Sequence, residues 1–347
     1  MNQTPWPQRL AAFVVSTLLA FSAALAQAAI PAGERQALLD LYASTNGALW
    51  STSTNWNGAA GTECTWYGIT CDAGENHVTI INLATNNLTG SLPSDLNNLT
   101  GLVVFSAPQN PLTGSIPSLT GMVSLDSFDV RNGQLTGTIP ALTGLTSLNT
   151  FLVSYNQLSG PIPSLSGLVN LQIFEVRYNQ LTGAIPALTG LANLYIFLVN
   201  HNQLTGPIPS LAGLTKLYTF LVDNNQLTGP IPSLAGLTSL SIFQVYNNQL
   251  SGDVPPVPSP NALLPGLASL CPNALNHTLD AAWDAATGQT PWYAGCTAAA
   301  PPIVTAATAI PTLSEIGLGC LAALLFLVGI GGAGIARRPL NGKRANP

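Results

Sequence analysis

Hydrophobic and polar positions along the middle of the chain follow a 23-residue period. The string Asn-Gln-Leu-Thr/Ser-Gly-x-Ile-Pro recurs with small variations, and the interval between its leucines is 24 once and then 23 six times. These leucines are Leu88, Leu112, Leu135, Leu158, Leu181, Leu204, Leu227 and Leu250. No unit of this length can bury its apolar side alone, so the pattern predicts a solenoid of stacked units.

One unit, which begins at Leu145, shows the pattern in detail. Phe151 and Val153 alternate with outward-facing positions, as the inward residues of a short strand do. Leu145, Leu148 and Leu158 are predicted to fill the rest of the interior. Each unit should therefore contribute one short strand and one turn.

An asparagine stands at the turn after the strand in seven of the eight units. Its side-chain amide can both donate to and accept from backbone groups that no regular ladder reaches. We expect these residues to stack into a ladder: Asn86, Asn110, Asn156, Asn179, Asn202, Asn225 and Asn248. The third unit has Gly133 there, which predicts a gap.

The consensus LxxLxxNxLtGxIP resembles the plant-type subclass of the leucine-rich repeat. The resemblance covers eight repeats between positions 78 and 256. It implies a horseshoe-shaped solenoid with mostly parallel strands on its concave face. The convex side is expected to hold irregular or 3₁₀ segments and a second, small strand.

The N-terminal segment 1–28 has the organisation of a secretory signal peptide. Arg9 precedes an apolar run at residues 10–25, and Ala26-Gln27-Ala28 offers a small-x-small cleavage site. An uncleaved anchor is the alternative. Both interpretations predict an exported body.

The C-terminal residues 310–347 form a second targeting pattern. A polar motif precedes apolar residues 317–336, which are long enough for a transmembrane helix, and two arginines follow. The motif consists of Ile310, Pro311, Thr312, Leu313, Ser314 and Glu315. It resembles the IPTL sorting signals of Gram-negative bacteria, although Ile316 stands where that pattern has Trp.

The IPTL resemblance implies that an exosortase-type processing peptidase is a partner. It also implies that the C-terminal helix holds the protein in the membrane until processing. The precursor would be anchored in the inner membrane, and the product would reach the cell envelope, the outer surface or the medium. A plain C-terminal anchor is the alternative. Cys320 lies within the apolar span and is expected to be a small apolar residue or a lipidation site.

Residues 29–77 resemble the N-terminal cap of plant-type repeat proteins. Leu38 and Leu41 have the spacing of one helix face. Because an exported chain permits disulfides, Cys64 and Cys71 are expected to pair within this cap.

Residues 257–297 are interpreted as a C-terminal cap. Cys271 and Cys296 bracket much of it, and their even number and position favour a second disulfide. Residues 298–309, rich in Ala, Pro and Thr, are interpreted as a flexible linker.

Charge is scarce and unevenly distributed. Only 7% of the residues are charged, and residues 29–309 hold four basic residues against thirteen acidic ones, a net charge of −9. This acidity argues against nucleic-acid binding. His77, His201 and His277 lack metal-ligand spacing, and no catalytic or cofactor-binding motif is present. We therefore expect a protein without enzymatic activity, metal or cofactor.

Function is then expected on the exposed side of the strands. The repeat register predicts that aliphatic, aromatic and charged side chains, including exposed Leu152, Leu198 and Leu221, share this face in a site centred on the fourth to seventh units. The alternative is that the tyrosines only cover the sheet. Aromatic residues and Arg are enriched at interfaces. The predicted ligand-binding residues are Leu152, Tyr155, Glu175, Arg177, Tyr178, Tyr195, Leu198, His201, Tyr218, Leu221, Asp223 and Tyr246.

Three functions remain open from the sequence. The leading hypothesis is adhesion or recognition, in which this face binds a protein or glycan ligand. The second is a structural role in an extracellular matrix or surface layer. The third is binding to ice or another surface through the regular Thr/Ser column that begins at Thr89.

Overall fold

The computed structural model describes residues 30–294 and Cys296. The expectations for the signal peptide, the linker, Cys320, the polar IPTL motif and the helix at 317–336 lie outside the described residues. Within them, the chain winds as a solenoid around an apolar core, with a ten-stranded sheet on one side and two smaller sheets on the other. No helix of this part has both the length and the apolar character needed to cross a bilayer.

The larger sheet has ten strands in chain order. The first pair is antiparallel and all later pairs are parallel. The strands are Ile69–Cys71, Val78–Asn82, Val104–Ser106, Ser127–Asp129, Thr150–Leu152, Ile173–Glu175, Ile196–Leu198, Thr219–Leu221, Ile242–Gln244 and Ala268–Ser269. The predicted parallel arrangement is confirmed.

Seven phenylalanines form a continuous column under this sheet, which we call the core stack. Their ring centroids are 5.4–5.8 Å apart and nearly parallel, and every ring is fully buried. The members are Phe105, Phe128, Phe151, Phe174, Phe197, Phe220 and Phe243. Strand alternation directs them inward, where leucines of each turn surround them.

The asparagine ladder is confirmed. The Asn179 side-chain amide donates to the carbonyls of Val153 and Val176 at 3.1 Å each, and its Oδ1 accepts from the Leu158 amide at 2.9 Å. Asn156, Asn202, Asn225 and Asn248 repeat this arrangement. Each amide therefore joins two turns of the solenoid.

The hydrogen bonds differ at the N-terminal end of the ladder and at its gap. Asn110 joins the first two turns, whereas the Asn86 side chain bonds the backbone of Thr52 in the N-terminal cap. At the predicted gap at Gly133, the Leu112 amide donates instead to the Asn110 carbonyl at 2.7 Å. The gap is therefore real and locally compensated.

The solenoid continues one turn beyond the predicted end at residue 256. Strand Ala268–Ser269 pairs in parallel with Ile242–Gln244, and Asn273 continues the ladder by accepting from the Leu250 amide and donating to the Val245 carbonyl. This ninth turn lacks the repeated string, and its asparagine stands two positions later than the period would place it after Asn248. The 23-residue period did not predict this turn, because its spacing differs.

Short strands also form on the opposite side, as the resemblance implies. A six-stranded parallel sheet contains Ser159–Pro161, Gln180–Ala184, Gln203–Gly206, Gln226–Gly229, Gln249–Gly252 and Ala274–Leu275. Strands Gly90–Ser91 and Leu112–Thr113 form a separate pair. Among the described repeats, a 3₁₀ segment occurs only at Leu96–Asn98, and turns occupy the corresponding places elsewhere.

The N-terminal cap contains helix Ala32–Ser44 and the 3₁₀ turns Gly47–Leu49 and Glu63–Thr65. The helix buries Leu38 and Leu41 against the first turns of the solenoid. The predicted disulfide between Cys64 and Cys71 is present. Glu34, although buried, accepts from the His77 ring at 2.6 Å and from the Val78 amide at 2.8 Å. These contacts fasten the helix to the first parallel strand.

The C-terminal cap closes the other end of the core. Helix Ala281–Thr287 begins after Asp280, whose carboxylate accepts from two backbone amides of the first turn. Trp283 is fully buried, with its ring 6.2 Å from that of Phe243, so it terminates the core stack. The second predicted disulfide, between Cys271 and Cys296, is also present.

Candidate binding site on the strand face

The side of the ten-stranded sheet that faces away from the core stack is called the strand face. Three positions after eight of the parallel strands end, the backbone enters the left-handed region, with φ between 50° and 59°. The residues in this position are Thr85, Gln109, Asn132, Tyr155, Tyr178, His201, Asn224 and Asn247. The same backbone requirement is therefore met by different side chains in successive repeats.

Asparagine tolerates this conformation better than other side chains with a Cβ, because its short amide bonds locally. Three repeats have it there, but the middle repeats place Tyr155, Tyr178 and His201 in the same position. Left-handed backbone in such residues costs on the order of 1 kcal/mol each. Backbone stability alone does not explain these aromatic residues.

Tyr155, Tyr178 and His201 form a continuous stack, which we call the face stack. The centroids of Tyr155 and Tyr178 are 4.5 Å apart, those of Tyr178 and His201 are 4.1 Å apart, and both pairs are inclined by 11°. All three side chains are partly exposed. The Arg177 guanidinium lies 5.5 Å from the Tyr155 ring centroid, within cation–π range.

Charged residues form a network beside the face stack. Arg131 donates to both oxygens of Asp129, at 3.0 and 2.9 Å, and reaches Glu175 at 3.4 Å. Arg177 donates to the other Glu175 oxygen at 2.8 Å. Burial opposes the charge on Arg131, but the bonds and charges of Asp129 and Glu175 outweigh it and raise the pKa of Arg131. Two carboxylates and two guanidiniums therefore balance each other here.

A second aromatic pair lies at the other edge of the strand face, where the strands begin. The rings of Tyr195 and Tyr218 are stacked with centroids 5.1 Å apart, and both are partly exposed. Burial, followed by the neighbouring Tyr218, raises the pKa of Tyr195. The face stack and the Tyr195–Tyr218 pair therefore lie on the two sides of a strip that consists of the strands themselves.

The strip between them is more deeply buried than the sequence predicted. Leu152, Leu198 and Leu221 are only 3%, 2% and 6% exposed, so the prediction that they expose aliphatic surface is wrong. Each lies in register with side chains of the adjacent strands, and Leu198 lies between Glu175 and Leu221. Strands about 4.8 Å apart pack such neighbours against one another, and the aromatic groups border them.

Polar side chains in this strip contain oxygens without partners. Ser154 Oγ, Asn200 Oδ1 and Asp223 Oδ1 are buried and lack a hydrogen-bond partner among the described residues. All three stand two positions after the last residue of a strand and one position before a left-handed residue. Burial raises the pKa of Asp223, against the lowering effect of the hydrogen-bonding groups around it.

His201 and Tyr246 border Asp223 without balancing its charge. Burial and then the positive charge of Arg177 lower the pKa of His201 to about 4. Burial and then the negative charge of Asp223 raise the pKa of Tyr246 to about 12. At neutral pH both rings are therefore uncharged.

The structure thus brings together most of the predicted site. The face stack and its charged neighbours share one edge, whereas Tyr195 and Tyr218 lie at the other. Sequence reasoning did not select Arg131, Ser154 or Asn200. The repeat register places these three residues on the strand face, and this was the only signal that the sequence offered for them. It could not show that Arg131 forms ion pairs or that the other two have unsatisfied oxygens, because both properties depend on contacts between repeats.

Family models match two regions of the chain. Residues 31–72 match the leucine rich repeat N-terminal domain, and residues 77–99 match the Leucine Rich Repeat. Among curated proteins, the receptor-like kinase TMK2 of Arabidopsis thaliana is 45% identical over 76 residues, which are 22% of this chain and 8% of that protein. The chain thus spans a small part of this relative.

Solved structures share the fold over a longer stretch. The ectodomain of the Arabidopsis thaliana receptor kinase GASSHO1/SCHENGEN3, in complex with CASPARIAN STRIP INTEGRITY FACTOR 2, is 30% identical with a TM-score of 0.58, covering 70% of this chain and 33% of that one. The plant peptide hormone receptor RGFR1, in complex with RGF2, is 31% identical with a TM-score of 0.52, covering 57% and 32%.

A plant ice-binding protein is 24% identical with a TM-score of 0.54, covering 72% of this chain and 88% of that protein, and this likeness concerns the fold alone. The N-terminal domain match, the repeat match and the solenoid agree with one another. The described part of the chain is a leucine-rich-repeat solenoid of about nine turns, similar to the ectodomains of plant receptor kinases.

Proposed function

We propose that this protein is a non-catalytic interaction protein that binds a protein or glycan ligand through the strand face. The observation that carries the proposal is the face stack: three partly exposed rings occupy left-handed positions where three other repeats have asparagine. Aromatic residues kept at strained positions in adjacent repeats, where asparagine also fits the backbone, indicate a functional surface. The similarity to a peptide hormone receptor favours a peptide or protein ligand.

The test uses a triple variant of the full-length protein, Tyr155→Asn, Tyr178→Asn and His201→Asn. Asparagine is already present at the equivalent positions 132, 224 and 247, so the backbone is expected to keep its conformation. Wild type and variant are compared on a glycan array and in a peptide-display selection. Retention of the same bound set by the folded variant would exclude the face stack as the binding site.

We further propose that the body is exported and reaches the cell envelope, outer surface or medium. Two disulfides in the caps support an oxidising compartment. The IPTL-type pattern at residues 310–338 supports a Gram-negative bacterial source and an exosortase-type peptidase as the processing partner. Fractionation of cells, followed by mass spectrometry of the C-terminus, tests this. A product that ends at residue 347 and stays in the cytoplasm would contradict it.

Binding to ice or another regular surface is a second candidate. The six-stranded sheet and its neighbours expose a column of hydroxyls, Thr113, Thr136, Thr182, Thr205, Thr228 and Ser251. Substitution of Thr182 and Thr205 by Tyr would interrupt it while leaving the strand face intact. Loss of ice-recrystallisation inhibition in this variant would support the candidate, and absence of inhibition in the wild type would reject it. A purely structural role predicts that neither surface variant changes a binding property.

A further inference from the structure

We propose that the strand face contains a subsite at Asp223 for an organic cation, supplied by a lysine or arginine side chain of a peptide ligand. The proposal rests on the proposed function and names the chemistry of one part of that surface. Asp223 and Asn200 would supply the oxygens that accept from the cation, and the rings of His201 and Tyr246 would flank it.

The first support is an acceptor that lacks a donor. The Asp223 side chain is 1% exposed, and its Oδ2 accepts from Asn224 Nδ2 at 2.7 Å and from Asn200 Nδ2 at 3.4 Å. Its Oδ1 and the neighbouring Asn200 Oδ1 accept from none of the described residues. A buried carboxylate oxygen without a donor loses the solvation it had in water. A ligand that brings two or more N–H donors would restore it.

The second support is the unbalanced charge of this carboxylate. Within the described chain, Asp129 and Glu175 each have an arginine partner, but the cationic candidate near Asp223 is His201, with Nε2 at 3.8 Å. Since burial and Arg177 hold the pKa of His201 at about 4, its ring is neutral at physiological pH. A buried carboxylate is stabilised when a hydrogen-bonded cation joins it.

The third support concerns the kind of cation. His201 stacks on Tyr178 with its Nε2 3.8 Å from Asp223, and the Tyr246 hydroxyl donates a hydrogen bond to the same carboxylate, so two aromatic side chains flank it. Ammonium and guanidinium groups bind carboxylates and aromatic faces at once. A calcium ion takes six to eight oxygen ligands, and residues 30–294 contain no cluster of three or more metal-ligating side chains. The surroundings therefore favour an organic cation that enters between the two rings.

The experiment is a selection of displayed random peptides on three forms of the full-length protein: wild type, Asp223→Asn and Asp126→Asn. The first substitution keeps the shape of the side chain and removes its charge. The second makes the same chemical change at residue 126, four strands away in the sheet. Thermal unfolding of each form confirms that it is folded, and the best wild-type peptide is then measured against all three.

We expect the wild type and Asp126→Asn to enrich peptides with Lys or Arg at one position, and Asp223→Asn to lose this preference. Loss of a buried charged partner typically weakens binding by about 30-fold or more. Enriched peptides without a basic preference, or a preference that survives in Asp223→Asn, would overturn the subsite while leaving the proposed function intact. The subsite would also be overturned if no selected peptide loses binding in the triple asparagine variant of the face stack. In that case, glycans that bind the wild type but not the triple variant would still support the proposed function.

Discussion

Two aromatic stacks follow the same repeat, yet they differ in almost every physical property. The core stack runs through seven turns, is fully buried and has ring spacings of 5.4–5.8 Å. The face stack covers three turns, is partly exposed and has closer spacings of 4.1–4.5 Å. A side chain kept in seven consecutive turns serves packing, whereas one restricted to three turns at strained positions is better explained by binding.

The largest effect is expected from breaking the core stack. Phe174→Ala removes a fully buried ring between Phe151 and Phe197, and such truncations cost about 3–5 kcal/mol. Chemical denaturation should show this loss in the free energy of unfolding. A matched truncation of the partly exposed Tyr195 to Ala should cost much less. Equal losses would remove the distinction between the buried and exposed aromatic residues.

The second largest loss of stability is expected from breaking the asparagine ladder, which joins adjacent turns of the solenoid. Asn179→Ala leaves the Leu158 amide and the carbonyls of Val153 and Val176 without their side-chain partner. Unpaired buried polar groups cost about 1–3 kcal/mol. Asn170 is the control, because it is exposed and donates one hydrogen bond to the Thr146 carbonyl. Asn170→Ala should lower the free energy of unfolding by no more than about 0.5 kcal/mol. A neutral Asn179→Ala would contradict the ladder's role.

A smaller, pH-dependent effect is expected at the face stack. The folded-state pKa of His201 is about 4, below the ordinary value of 6.5, so the unfolded chain binds more protons between these values. Stability should therefore fall as pH decreases from 6.5 to about 4. Because the side chain is 34% exposed, we expect a screened contribution on the order of 1 kcal/mol.

His201→Asn should flatten the fall in melting temperature over this interval. Asp223 and Glu34 remain in both proteins, so the difference between the two pH profiles reports mainly on residue 201. Parallel profiles for wild type and variant would show that the ring is not held neutral by its surroundings.

The sequence predicted the parts of this fold that depend on repetition. Strand alternation placed Phe151 inward, the recurrent asparagine predicted the ladder, and Gly133 predicted its gap. The ninth turn was missed because its asparagine, Asn273, follows a segment of different length and composition. Periodicity detects only those turns that keep the period.

The candidate site was less predictable, because its chemistry arises between repeats. Alternation correctly assigned Leu198 to the strand face but could not show that neighbours in register bury it. The same limit applies to the unsatisfied Asn200 Oδ1 and to the pairing of Arg131 with Glu175. Side-chain contacts between different repeats have no signature in a single repeat.

The most direct test of the division between the two stacks measures unfolding and binding on one variant. In the triple variant Tyr155→Asn, Tyr178→Asn and His201→Asn, lost stacking of about 0.5–1.5 kcal/mol per pair is opposed by relief of left-handed strain. We predict a free energy of unfolding within about 1 kcal/mol of wild type and loss of the peptides or glycans that the wild type binds. Unchanged binding, or destabilisation as large as that of Phe174→Ala, would contradict the account.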